Sequence, residues 1–193
     1  MTPAEPHKVS PLLNFRPVTP QRLADLERFS QSHGKFRYCS CMRWRMATSE
    51  YARSGKEGRI AALAQRVEAD APVGILAFLD DEPVGWCSIA PRESYAGLER
   101  YRGLSRLDSA PVWSVVCFFV DRHVRRQGLT LGLLRAAVEY AVAQGAQTIE
   151  GYPVEPGSGL YTYMGSPAIF EKAGFRDVTP AGQARRVMRY VKV

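Results

Sequence analysis

At 193 residues the chain is long enough for one domain with a sizeable core and too short for two comfortable ones. A hydrophobic share of 46% beside 23% charged residues excludes a disordered chain. The 26 Lys and Arg against 19 Asp and Glu leave a formal charge of +7, which favours an anionic partner without naming it.

The longest apolar run without a charge, Ser109 to Val120, has 12 residues, whereas a membrane-spanning helix needs about 20. Neither a transmembrane segment nor a membrane partner is expected. Pro3, Pro6 and Pro11 interrupt the N-terminus where a secretory signal would be continuously apolar. Residues 1–13 are therefore read as a disordered lead-in and 14–193 as the domain. The four cysteines, Cys39, Cys41, Cys87 and Cys117, are too few for a disulfide scaffold and suit a reducing cytoplasm. Cys39 and Cys41 lack a second ligand pair, His33 being the nearest addition, so no metal site is expected.

The first element is a short strand, Asn14 to Thr19, followed by Thr19-Pro20, an N-cap with proline at the first helical position. The helix it opens, Pro20 to about Ser32, carries Leu23, Leu26 and Phe29 at helical spacing. His33 to Met46 is basic, interleaves Phe36, Tyr38 and Trp44, and has no period, so a loop is predicted. A second helix runs from about Ser49 through Val67, interrupted near Gly55 and Gly58.

Gly74 to Leu79 and Val84 to Ala90, joined by Asp80, Asp81, Glu82 and Pro83, form an antiparallel hairpin. After an irregular Arg- and Tyr-rich stretch, Val112 to Val120 is apolar at nearly every residue, as a strand buried on both faces should be. A helix from Leu131 to about Ala143 stops at Gly145, and Thr148 to Val154 is the next strand. Pro153 cannot donate to a ladder, so that strand should part from its neighbour and split the sheet. Ser166-Pro167 opens a short helix ending near Gly174, and Phe175 to Val178 with Arg186 to Val193 makes a last hairpin. The fold class is α/β.

The chemistry concentrates in Val120 to Leu134, where a buried strand ends, a basic glycine-containing turn follows and an apolar helix begins. Such a turn aims unpaired backbone N–H groups and the positive end of a helix dipole at one spot, an anion site. Gly128 lets the backbone approach closely, while Arg125 and Arg126 add charge. Taken alone, the same turn is also compatible with a purely structural role.

These residues resemble motif A of the GNAT superfamily of acyl-CoA-dependent N-acetyltransferases: Arg or Gln, two residues, Gly, one residue, Gly or Ala. Arg125, Arg126, Gln127, Gly128, Leu129 and Thr130 follow it, with Thr130 where Gly or Ala is usual. Ile169 to Phe175 is similar to the family's motif B, a short helix ending in Gly-Phe. The resemblance implies a single-domain fold with a mixed, mostly antiparallel sheet splayed after the fourth strand and helices on both faces. It also implies direct transfer of acetyl from acetyl-CoA to a primary amine of a small molecule or protein. Phe118, Phe119 and Val120 would then meet the pantetheine arm and thioester, and Arg125 to Thr130 would hold the pyrophosphate.

Two positions depart from the family. Phe170 stands where many members carry a proton-donating tyrosine, and Ser114 where some carry a carboxylate base. The remaining acid and base candidates are Tyr163, the first choice as acid, with Tyr161, Tyr152 and Glu150; Glu150 also reads as a solvated strand carboxylate, the tyrosines as walls. Arg43, Trp44 and Arg45 lie in the region that lines the acceptor side in the family. They would hold an anionic or aromatic acceptor, or else place Trp44 in the core and the arginines in water. The missing acid and base keep a catalytically silent acyl-CoA-binding module open as an alternative. Nucleic acid is not expected as a partner, because no recognised motif accompanies the charge. Dimers are common in the family, so a homodimer stays open.

Overall fold

The computed structural model describes residues 12–192. Leu13–Pro17 (β1), Gly74–Leu79 (β2), Glu82–Pro91 (β3), Trp113–Val120 (β4), Thr148–Gly151 (β5), Arg176–Asp177 (β6) and Met188–Val191 (β7) form one seven-stranded sheet, ordered β1-β2-β3-β4-β5-β7-β6. All neighbours run antiparallel except β4 and β5, which are parallel. The sheet begins earlier than expected. Leu13 pairs with Leu79, and Leu12 accepts from Asp80 N at 2.9 Å, so residues 12 and 13 belong to the sheet. The rest of the expected lead-in lies outside the described residues.

The helices are Leu23–Ser32 (α1), Gly34–Cys39 (α2), Thr48–Arg53 (α3), Gly55–Glu68 (α4), Ala96–Arg100 (α5), Leu129–Ala143 (α6) and Pro167–Lys172 (α7). α2 corrects the expectation of a loop across His33 to Met46. It turns a single buried residue, Phe36, against Phe29 and Trp86 at centroid distances of 4.8 and 5.6 Å. One buried residue leaves no period to read. The interruption expected near Gly55 and Gly58 is confined to Ser54, with Gly55, at positive φ, opening α4 and Gly58 inside it.

On one face of the sheet α6 packs Leu133, Leu134, Ala137 and Ala141 against Ile75, Ala77, Cys87 and Ile89. On the other, α1, α2 and α4 bring Phe29, Phe36, Leu63 and Val67 onto Leu76, Phe78 and Trp86. A third cluster, with Trp44, Tyr95, Leu98, Leu104 and Tyr152, fills the end where β5 departs.

Two irregularities of β4 decide what faces the site. Ser88 lies opposite Cys117 and Ile89 opposite Val115, so Val116 is an extra residue, and a β-bulge reverses the alternation of side chains. Val115, Phe118 and Val120 therefore share the α6 face, while Cys117 and Phe119 turn toward α2. In addition, β4 pairs with β5 only from Trp113↔Ile149 to Val115↔Gly151. The split expected at Pro153 is thus present, and begins at Gly151.

Phe170 of α7 is wedged into that split, with its ring against Gly151. A methyl group at Gly151 would fall inside the ring's contact surface. Gly151→Ala should cost about 1–3 kcal/mol through overpacking. Chemical denaturation checks this, and an unchanged midpoint would show that Phe170 relaxes freely.

Candidate active site

A cleft of about 1150 Å3 opens where β4 and β5 part. Its floor is Cys117 to Val120 of β4. One wall is the turn into α6, a second is the segment Val154 to Pro156 with Tyr163 and α7, and a third comes from α2 and the chain leading to α3.

The turn is held from both ends. Asp121 Oδ1 accepts from His123 N at 2.7 Å, and Oδ2 lies 2.7 Å from His33 Nε2, at the junction of α1 and α2. The His123 amide is the main reason the Asp121 carboxyl sits below the usual carboxylate range. Arg125 Nε donates to Val120 O at 3.0 Å, folding its side chain back to the strand end. Arg126 and Gly128 take positive φ, 63° and 78°, and Gly128 caps α6. The first intrahelical bond runs from Gly132 N to Gly128 O at 3.1 Å. The N–H groups of Leu129, Thr130 and Leu131 consequently have no acceptor within the helix, and all three residues line the cleft.

Of the residues expected to hold the cofactor, Phe118, Phe119, Val120, Arg125, Arg126, Gly128, Leu129 and Thr130 line the cleft. Gln127 is exposed and lies outside the lining.

The acid and base candidates are separated by the fold. Tyr163, on a 3-10 turn at Thr162–Met164, lines the cleft and is half-buried. Burial, aided by the thiols of Cys117 and Cys39, pushes its phenol well above the usual range, against the pull of Arg43. Tyr161, outside the lining, stacks with Trp44 at 5.9 Å and under Arg185 at 4.6 Å.

Glu150 stands outside the cleft, and both readings made of it need correction: it is neither solvated nor placed to serve as a base. At 2% exposure its Oε2 accepts from Arg92 Nη1 at 3.3 Å and from Tyr152 OH at 2.8 Å, while Oε1 accepts from Arg189 Nε at 2.8 Å. Tyr152, also buried, further bonds Ser114 Oγ at 2.8 Å. These groups knit β4, β5 and β7 beneath the cleft.

The basic aromatic stretch divides three ways. Arg45 is buried, donating to Val73 O and Tyr95 OH, both at 2.9 Å. Trp44 is buried and reaches the cleft edge, and Arg43 is exposed in the lining, 5.9 Å from the Tyr51 ring. Lys35, Cys39, Cys41, Tyr51, Cys117 and Lys172 are among the lining residues that were not expected at the site. Tyr51 and Cys117 carried no sequence signal, since a helix break and a bulge decide where they point. Burial raises the thiol of Cys39, and the hydrogen bond with Cys41, followed by burial, raises that of Cys117, which favours the protonated form of both.

A split sheet whose gap is headed by a helix N-terminus, and whose charged lining residues are nearly all cations, defines an α/β protein with a cleft suited to an anionic ligand. The family model described as "Acetyltransferase (GNAT) family" matches residues 39–160, and the chain belongs to that family. No curated protein matches the chain. Among solved structures, it resembles the aminoglycoside N-acetyltransferase AAC(6')-Iy in complex with CoA, at 15% identity and a TM-score of 0.55, covering 88% of this chain and 91% of that one. It also resembles the PaiA N-acetyltransferase of Thermoplasma acidophilum in complex with coenzyme A, at 12% identity, TM-score 0.51, covering 94% and 99% of the two chains. A third is NAA60 of Arabidopsis thaliana in complex with acetyl-CoA, at 16% identity, TM-score 0.50, covering 94% and 100%. At these identities the likeness is one of fold. Among the described residues no helix is long and apolar enough to cross a membrane.

Proposed function

We propose that the protein transfers acetyl from acetyl-CoA to a primary amine by direct attack in a ternary complex, in a domain running from β1 through β7. The observation that carries this reading is the cradle at Arg125 to Leu131, where unpaired N–H groups and two arginines line a cleft of about 1150 Å3 that continues along β4. The residues fit the co-substrate: the turn suits the pyrophosphate, and the edge of β4 left free by β5 suits the amides of the arm. Fold-level relatives solved with CoA or acetyl-CoA support the same assignment.

In the reaction the amine nitrogen bonds to the thioester carbonyl carbon, the carbon–sulfur bond breaks, and the departing thiolate takes a proton. Tyr163 is the donor on this reading, because it lines the cleft and its raised phenol keeps its proton at neutral pH. Tyr163→Phe should lower kcat by about 10- to 100-fold with little change in acetyl-CoA affinity. Equal kcat in that variant would leave solvent as the donor.

The amine must also lose a proton. Glu155 is the one carboxylate in the lining, and it is paired with Arg186 at 2.8 Å. With no other carboxylate in the lining among the described residues, the amine reacts in its neutral form or passes its proton to water on this reading. The rate should therefore rise with pH toward the amine's own pKa, without a falling limb from Tyr163 below pH about 10. A pH profile of kcat/KM and of kcat checks both limbs. The test of the whole reading is thiol release from acetyl-CoA across an amine and peptide panel. Binding of acetyl-CoA without amine-stimulated release would favour the silent binding module.

A further inference from the structure

We propose that the acceptor is a small amine that also carries a carboxylate, on an apolar or aromatic body, and that Arg43 receives that carboxylate. This deepens the acetyltransferase reading and rests on it.

Among the described residues, the charged side chains lining the cleft are Lys35, Arg43, Arg125, Arg126 and Lys172 against Glu155 alone. Arg125 and Arg126 belong to the turn that heads α6, and Arg125 is further tied to Val120 O. Arg43 lies elsewhere, on the chain between α2 and α3. Its guanidinium has no carboxylate within ion-pair distance among the described residues, and its contact is the face of Tyr51. Arg43 is also within electrostatic reach of the Tyr163 hydroxyl, whose proton it makes easier to lose. An unpaired cation therefore lines the same cleft as the residue assigned to the departing thiolate, on a different segment from the turn.

That placement has consequences for the acceptor. A polycationic amine would bring like charges together without a carboxylate to receive it, since Glu155 is engaged by Arg186. An amine with its own carboxylate would meet a planar, permanently charged fork suited to two parallel hydrogen bonds. Beside the Tyr51 ring under Arg43, the wall from α2 and the chain after it brings Phe36 and Trp44 to the cleft, which suits a hydrophobic body and offers few donors for a sugar.

The experiment pairs amino acids with their C-terminal amides, phenylalanine, tryptophan, leucine and methionine among them. Spermidine and kanamycin serve as cationic comparators, and CoA release is the readout. Each acid should exceed its amide in kcat/KM by about 10-fold or more, and both comparators should be poor. Arg43→Gln should erase that acid-to-amide ratio through KM while leaving acetyl-CoA affinity unchanged, and Arg43→Lys should restore part of it. A preference for the amides or the polycations, or an unchanged ratio in Arg43→Gln, would overturn the proposal. Calorimetric titration of N-acetylphenylalanine and its amide into the protein saturated with CoA gives a second readout, independent of turnover. If no amine stimulates CoA release yet the acid form binds through Arg43, the acetyl-transfer reading fails and the carboxylate site stands. If neither ligand binds, or both bind alike in native protein and Arg43→Gln, the carboxylate site fails whatever the turnover result.

Discussion

Replacing Gly128 by valine should abolish measurable acetyl-CoA binding, raising Kd on the order of 100-fold or more in a calorimetric titration. Nothing lies within 4 Å of where a side chain at Gly128 would begin, so the loss would not come from a clash inside the protein. It would come from two other sources. The residue holds φ at +78°, a conformation that a β-branched side chain resists, and the turn must change shape to accept it. The side chain would also stand in the open space over which a phosphate approaches the N–H groups of Leu129 and Thr130. Because the turn is exposed, the domain should stay folded, which circular dichroism would verify. Arg126→Ala should act more mildly, and its deficit should shrink as salt is raised, since screening removes what that charge adds. Unchanged affinity in Gly128→Val would remove the pyrophosphate from this turn.

The second large effect is expected on stability. Glu150→Ala should cost about 3 kcal/mol or more, because it takes from Arg92, 1% exposed, one of its two carboxylates, while Arg189, 16% exposed, keeps Asp108. For a chain of this length that corresponds to a fall in Tm of about 6–12 °C or more. Arg92 keeps Glu99 at 2.9 Å, Tyr152 OH at 2.7 Å and Leu104 O at 2.6 Å, yet Glu99 is itself partly exposed and already shared with Arg106. Thermal and urea denaturation measure the loss. Kinetics at a temperature where the variant remains folded separate a structural role from a catalytic one. A Tm near that of the native protein, together with a collapsed kcat, would return Glu150 to the reaction.

The division between sequence and structure follows from the range of the forces involved. Turn chemistry is local, so Thr19-Pro20, Ser166-Pro167 and the glycine-bearing turn at Arg125 to Thr130 could be read residue by residue. Pro20 opens a 3-10 turn ahead of α1, Pro167 starts α7, neither Thr19 nor Ser166 closes a side-chain cap bond, and α6 starts at Leu129, two residues before the expected Leu131. The split of the sheet was legible for the same reason, because Pro153 lacks a donor whatever surrounds it. The resemblance to motif A rested on this local grammar as well. Glu150 could not be placed that way: its neighbours in sequence suit an ordinary strand carboxylate, while Arg92 and Arg189, which bury and neutralise it, come from distant parts of the chain. The faces of β4 were equally hidden, since a run apolar at nearly every position shows no alternation and the bulge at Val116 exists only in its pairing with β3. The third wall of the cleft is likewise tertiary, for α2 has one buried residue to announce it, and Arg43 gains its setting only when that helix folds against β4. The sequence by itself thus determined where the backbone can bind an anion, a property of local geometry. Which side chains share the cleft was decided by the pairing of segments far apart in the chain, where burial and charge compensation are settled together.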